Sequence, residues 1–558
     1  MVNKNIKLNK KTPNIDYNNY SKVSPFELKN TLIKIAKKQV QKGKAKQFLN
    51  AGRGNPNFVS TPAREAYSVL NIFCCQEAEN NFPEEGLHFR NQDIGAVPTA
   101  KGIGTRFNKF MKAWLQTHKG RENPLKKGGS FLVKAVHYMY TKIFHKKINY
   151  DDLIHQIYVA ALGNFYPSPP RRQTFVEPVM NKYASHLLTH DHIKQYDTFM
   201  TEGATAAIVY TFHSLIVHGI LQHEDSIAII TPIFSPYLEI PKLKQFRFKS
   251  VYLEGNDEND WKIPLKELDK LLDPKIKALF LVNPTNPSSV SLTKEHVKYI
   301  AKIIKTKRQD LIIISDDVYA PFVDKYYSLL EYVPENTIAI HSFSKYYGVT
   351  GLRMGMIMMD RNNVIDKKLI PNMSNTLKQE INERYEMITM TEQNKIKFID
   401  RLLIDSRDVA EAHTAGLATP QQMLMCLFAI YDMTHKKYKK DIQKILISRI
   451  KYLYKPLGKH APLGYLHSDY YTLINIRKMA QHKYGEAFAK QLVKNSPSPL
   501  EVVFRLAKDY STICLPAKGF GGHTWGIRVS LANLPTMDYL TIGENINSVL
   551  DDLYENYK

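Results

Sequence analysis

Between residues 197 and 345 the chain repeatedly sets a short, uninterrupted apolar run against a polar cluster. The runs are residues 226–230, 278–282, 311–314 and 337–340, each rich in β-branched side chains. None alternates polar with apolar, which is the pattern of strands covered on both faces. Helical spacing fills most of the gaps, as over residues 292–306. This predicts an α/β fold with a mostly parallel sheet. The runs stop at Thr231-Pro232, Asn283-Pro284, Ser315-Asp316 and His341-Ser342. Ligands of such sheets bind beyond the carboxyl ends of the strands, so a site is expected there.

The flanking regions read differently. Residues 1–23 are polar and rich in Asn and Lys, which predicts a mobile tail. Ser24-Pro25-Phe26-Glu27 reads as a helix start, with Ser24 as cap and Glu27 closing a capping box. Leu28, Leu32, Ile35 and Val40 then mark one buried face. Residues 48–58 read as a loop whose glycines, Gly52 and Gly54, let the backbone approach a ligand. Residues 65–160 carry a mixed helical pattern with Trp114, Phe131, Tyr138 and Tyr140 expected in the core. After residue 436, strand patterns at 470–476 and 527–531 mix with helical ones. The expected division is an N-terminal arm and small-domain segment (1–64), a helical insertion (65–160), a large domain (161–435) and a C-terminal small α+β domain (436–558).

Composition narrows this only a little. The chain has 558 residues, 44% hydrophobic and 23% charged, with a formal charge of +24. The basic residues scatter, and the densest stretch, residues 37–46, lacks the interleaved aromatics that stack on bases. A solvated Lys-rich surface is expected, with no nucleic-acid partner. Cys74, Cys75, Cys426 and Cys514 match neither a disulfide framework nor a zinc spacing, and the adjacent pair is expected to be buried. No metal site is predicted. No apolar run approaches the ~20 residues that span a bilayer, and the basic N-terminus has no apolar stretch behind it. Both features point to the cytoplasm and away from a membrane.

The candidate chemistry lies at the strand ends. Ser342-Phe343-Ser344-Lys345 follows a run and leads to Gly351-Leu352-Arg353. A lysine at the mouth of a sheet can act as a nucleophile, and a hydroxyl with a guanidinium suits a phosphate. Taken alone, such a lysine is more often solvent-exposed. Asp316, followed by Asp317 and Tyr319, can hold a protonated ring nitrogen, or equally cap a helix. Asn283-Pro284-Thr285-Asn286-Pro287 makes a rigid turn carrying an amide. Gly203-Ala204-Thr205 reads as a glycine turn opening a helix, where N–H groups and the dipole favour a phosphate. Arg528, in Trp525-Gly526-Ile527-Arg528, can grip a carboxylate; the alternative is a surface arginine on an edge strand.

Taken together and in this order, the segments resemble the fold-type I pyridoxal-5′-phosphate (PLP) enzymes of the aspartate aminotransferase kind. That resemblance implies a large domain built on a seven-stranded-type, mostly parallel sheet. It makes Lys345 the Schiff-base lysine, Asp316 the partner of the pyridine nitrogen, and Asn286 and Tyr319 the ligands of the ring hydroxyl. Gly203, Ala204, Thr205, Ser342 and Arg353 would hold the phosphate, Phe234 would stack on the ring, and Arg528 would bind the substrate α-carboxylate.

Further segments resemble the aspartate 4-decarboxylase family, among them residues 24–29, 50–58, 166–171, 398–402, 413–417 and 530–534. This implies β-decarboxylation of L-aspartate to L-alanine and CO₂. It also implies transamination of aspartate with 2-oxoglutarate to oxaloacetate and glutamate. Gly54, Arg53 and, less directly, Lys29 would lie over the substrate. The resemblance further implies a homodimer assembling to dodecamers, with Tyr166 reaching a neighbour's phosphate. Two other readings stay open: a plain aminotransferase with an insertion, and a PLP-binding transcription regulator, which would need a helix-turn-helix module.

Overall fold

The computed structural model describes residues 20, 23–43, 47–79, 101–120, 122–163, 166–167, 171–190, 192, 195–386, 388–410, 416–495, 498–522 and 525–557. The expected mobile tail therefore lies almost wholly outside the described residues, as do residues 168–170 and 413–415 of the resembling segments.

Helix α1 (Pro25–Gln41) begins where the cap was expected: Ser24 accepts the Glu27 N–H at 3.5 Å. The reciprocal Glu27 bond of a capping box is not found among the described residues, so the expectation holds for one half only. Leu28, Leu32 and Ala36 bury one face. The expected loop at 48–58 departs at one point. Residues Leu49–Asn50 form a short strand, β1, parallel to Thr512–Ile513 near the other end of the chain. That pairing depends on a segment no local pattern can foresee.

Helices α2 (Pro62–Glu79), α3 (Ile103–Thr117), α4 (Pro124–Tyr138) and α5 (Tyr150–Leu162) pack on one another and form the region expected as an insertion. Phe131 is buried there, and Trp114, Tyr138 and Tyr140 are partly buried against the same core. The expectation for the cysteine pair is corrected: Cys74 is buried in α2, but Cys75 is exposed. Adjacent helical positions point about 100° apart, so a helix with one apolar face cannot bury both.

Helix α6 (Val176–Leu188) leads into the central sheet. Its strands are β2 (Tyr196–Thr201), β3 (Ser226–Thr231), β4 (Lys249–Glu254), β5 (Ile276–Val282), β6 (Ile312–Asp316), β7 (Thr337–Ser342) and β8 (Gly355–Asp360), in the order β2-β8-β7-β6-β5-β3-β4. β8 runs antiparallel to both neighbours and the rest are parallel. Helices α7 (Ala204–Val217), after β2, and α8 (Lys294–Thr306), after β5, lie between successive strands in the chain. The four runs read from sequence are β3, β5, β6 and β7. The other three strands carry weaker signals: β2 opens Tyr-Asp-Thr, β8 is methionine-rich, and β4 is a half-exposed edge.

A second sheet is antiparallel, ordered β11-β12-β9, from β9 (Tyr471–Asn475), β11 (Leu515–Pro516) and β12 (Gly526–Ser530); β10 is Thr512–Ile513. β12 is the middle strand, so Arg528 is not on an edge. Among the described residues no helix is long and apolar enough to cross a membrane, and no cluster of metal-ligating side chains occurs.

Candidate active site

The carboxyl ends of β5, β6 and β7, the start of α7, the loop around Gly54 and the second sheet enclose a cavity of about 290 Å³. It is lined by most of the residues expected from the sequence: Gly54, Ala204, Thr205, Phe234, Asn286, Asp316, Tyr319, Ser342, Lys345, Arg353 and Arg528. A larger space of about 800 Å³ lies over residues 366–401 and is lined by none of the expected site residues.

One end is built for an anion. Gly203 caps α7 with φ +95°, and a Cβ there would stand 2.7 Å from Arg353 Nη2. A side chain would thus displace the guanidinium, and glycine is what lets Arg353 lie against the helix start. The first N–H groups of α7 have no partner within the helix and carry the positive end of its dipole. Arg353 donates to Thr350 O at 2.9 Å and to Glu202 O at 3.4 Å. Ser342 Oγ lies 3.0 Å from Ser344 Oγ and accepts the Ser344 N–H at 3.2 Å.

The other end carries Asp316, which closes β6. Tyr237 donates its hydroxyl to Asp316 Oδ2 at 2.8 Å, and the Val318 N–H donates to Oδ1 at 3.2 Å. Burial pushes this carboxyl up to about 6, while Tyr237, Val318 and the Lys345 charge pull the other way. Asp317, the residue after β6, does not line the cavity. It accepts from Ser315 Oγ at 2.7 Å and Tyr326 OH at 2.5 Å, and burial pushes it up to about 7.

Between the two ends, Lys345 Nζ donates to Gly54 O at 3.0 Å, and the same oxygen accepts from Tyr470 OH at 2.8 Å. Asn286 Nδ2 donates to Tyr319 OH at 3.4 Å, and Tyr319 OH donates to Tyr471 OH at 3.3 Å. Asn286 Oδ1 is buried without a protein partner.

Arg528 is 1% exposed. Its Nη2 donates to Gly52 O at 2.7 Å, and its guanidinium carbon lies 4.7 Å and 4.6 Å from the ring centres of Tyr471 and Phe520. Its Nε is buried without a partner, and burial lowers its pKa. Arg53 is exposed and outside the cavity wall. Lys29 is likewise outside the cavity wall, and its amine is lowered by burial first, then by the Arg53 and Arg528 charges. Tyr166 is 91% exposed and off the cavity.

Sequence reading missed Tyr237, Tyr470, Tyr471 and Phe520. Tyr237 follows Phe234 by one helical turn at the start of a short helix (Ser235–Glu239), a signal too brief to read. Tyr471 pairs with Ser530, and Arg528 with Leu473, which makes Tyr471 and Arg528 diagonal neighbours on one face. Only the register reveals that.

Residues 163–542 match the family model described as aminotransferase class I and II. The chain is similar to a Pseudomonas bifunctional aspartate aminotransferase and L-aspartate beta-decarboxylase. The two are 37% identical over 549 residues, 97% of this chain and 98% of that one. It is also similar to an aspartate aminotransferase of Pyrococcus horikoshii, 30% identical over 30% of this chain and 41% of that protein. Among solved structures, a Thermus thermophilus aspartate aminotransferase with maleate superposes with a TM-score of 0.53. It is 13% identical and covers 97% of this chain and 98% of its own, a likeness of fold.

Proposed function

This chain belongs to the class I and II aminotransferases, PLP enzymes of fold type I, and we propose that it converts L-aspartate to L-alanine and CO₂ and also transaminates aspartate. The near end-to-end likeness to a bifunctional relative supports the pair of activities. The observation that carries the reading is Arg528: a buried cation with an unpartnered Nε, facing the same cavity as Lys345 and Asp316.

The residues present fit the cofactor. The helix start at Gly203, Ala204 and Thr205, with Ser342 and Arg353, suits its phosphate. The buried, unpartnered Asn286 Oδ1 beside Tyr319 suits its ring hydroxyl, and Phe234 lines the wall where a ring can lie. Asp316 suits its ring nitrogen. When bound, PLP supplies an electron sink for bonds broken at the substrate α- and β-carbons.

The protein's own groups divide the remaining work. Asp316 holds a proton on the ring nitrogen, and Tyr237 and Val318 fix the direction of its carboxylate. Lys345 anchors the cofactor and, once its amine is free, carries the proton to and from the substrate α-carbon. Gly54 O is where that amine is held. Arg528 grips the α-carboxylate and so orients the bond to be broken. Arg53 and Lys29 stand off the cavity wall and would have to reach in to orient the β-carboxylate; whether hydrolysis or CO₂ loss comes first decides the product.

The division into 1–64, 65–160, 161–435 and 436–558 remains our reading of the domains. So does a homodimer that assembles further, with exposed Tyr166 reaching a neighbour's phosphate site. Four free cysteines support a reducing, cytoplasmic setting. The test is purified protein with L-aspartate and no added 2-oxo acid. CO₂ and L-alanine in equal amounts are expected, and borohydride should fix the cofactor to Lys345. Oxaloacetate alone, formed only with 2-oxoglutarate, would leave a plain aminotransferase.

A further inference from the structure

Tyr471 stands where the cofactor and substrate ends of the cavity meet, and no sequence motif accounts for it. It opens β9 beside Arg528, and its ring centre lies 4.7 Å from the guanidinium carbon. Its hydroxyl meets Tyr319 OH at 3.3 Å. A Cβ on Gly54 would come within 2.4 Å of the same oxygen, so the hydroxyl lies directly against the loop over the substrate.

The hydrogen count along this chain of groups is informative. Asn286 donates to Tyr319, and Tyr319 donates to Tyr471. Tyr471 therefore has its own O–H still to give, and no protein acceptor for it is found among the described residues. Buried hydroxyls generally find a partner. The neighbouring Arg528 is immobilised by Gly52 O, Tyr471 and Phe520, with Nε unpartnered.

We infer that Tyr471 is a second anchor for the substrate α-carboxylate, donating its O–H to the group that Arg528 grips. This rests on the reading of Arg528 given above. Two donors from diagonal positions of one sheet then fix the carboxylate in two directions. A ring that only supported Arg528 would do as well without its hydroxyl, so Tyr471→Phe separates the two roles.

The test uses holoenzyme and follows cofactor absorbance as two amines bind. One is L-aspartate with its α-hydrogen replaced by methyl, which cannot lose an α-proton. The other is β-alanine, which is aspartate without the α-carboxylate. Tyr471→Phe should raise the Kd of the first about tenfold or more and change the second by less than about twofold. Equal weakening of both would make Tyr471 a support of the cofactor pocket and overturn the inference. No weakening of either, while Arg528→Leu weakens the methyl-aspartate alone, would also overturn it but leave the Arg528 assignment standing. If Arg528→Leu has no effect either, the α-carboxylate assignment itself fails, and this inference with it.

Discussion

Replacing Arg528 with Leu should separate activity from stability. The wild-type guanidinium is fully buried and makes no ion pair among the described residues; its direct bond is to Gly52 O at 2.7 Å. Burying a cation without a counter-charge costs several kcal/mol even after relaxation. The two ring contacts each return about 0.5–2 kcal/mol, and the bond to Gly52 about 1.5–3 kcal/mol. These terms nearly cancel, so Leu, which needs no desolvation, should shift Tm by no more than about 3 °C. Turnover behaves otherwise. Losing a charge-assisted contact to the α-carboxylate removes about 1.5–3 kcal/mol, or roughly 10- to 150-fold in kcat/KM for aspartate. Both product branches should fall together, because both need the substrate oriented at the α-carbon. The assay is alanine and oxaloacetate formation alongside a thermal melt and cofactor content. Unchanged aspartate kinetics, or a fall in activity matched by a large fall in Tm, would refute the argument.

Gly203→Ala forces a Cβ to within 2.7 Å of Arg353 Nη2 at a φ of +95°, so the guanidinium must move. Cofactor Kd, measured by dialysis and absorbance, should rise at least about tenfold. Burial pushes the Asp317 carboxyl up to about 7 from its ordinary value of 3.8. Its contribution to stability is therefore present below about pH 4 and lost as pH rises to about 7. Asp317→Asn stays neutral, so its Tm relative to wild type should be higher at about pH 8 than at about pH 5; an equal difference at both would refute the assignment. Arg53→Ala should change the ratio of alanine to oxaloacetate formed from aspartate, with cofactor absorbance unchanged. A constant ratio would remove Arg53 from the branch point.

The parts of the protein that were legible in sequence are those whose cause is local. β3, β5, β6 and β7 each carry a continuous apolar run that any context would bury, and their polar ends marked the site. Gly203 was legible as a helix opener because a glycine before small residues is a local signal. β2, β4 and β8 were not legible, since Tyr-Asp-Thr, an exposed edge and a methionine-rich segment become strands only through their neighbours.

The sequence by itself determined the order of the chemical groups: Asp316 and Lys345 at strand ends, Arg528 near the end of the chain, and glycines where the backbone must come close. It did so because strand, turn and cap preferences act over a few residues. Only the tertiary structure decided which groups meet. Arg528 reaches Gly52 across 476 positions, and Tyr470 reaches Gly54 across 416. The register of β9 on β12 brings Tyr471 over the guanidinium, and the parallel pairing of β1 with Thr512–Ile513 brings the N-terminal loop to the cavity. Those contacts depend on pairing between distant segments, which burial and hydrogen-bond satisfaction select only once the whole sheet has formed.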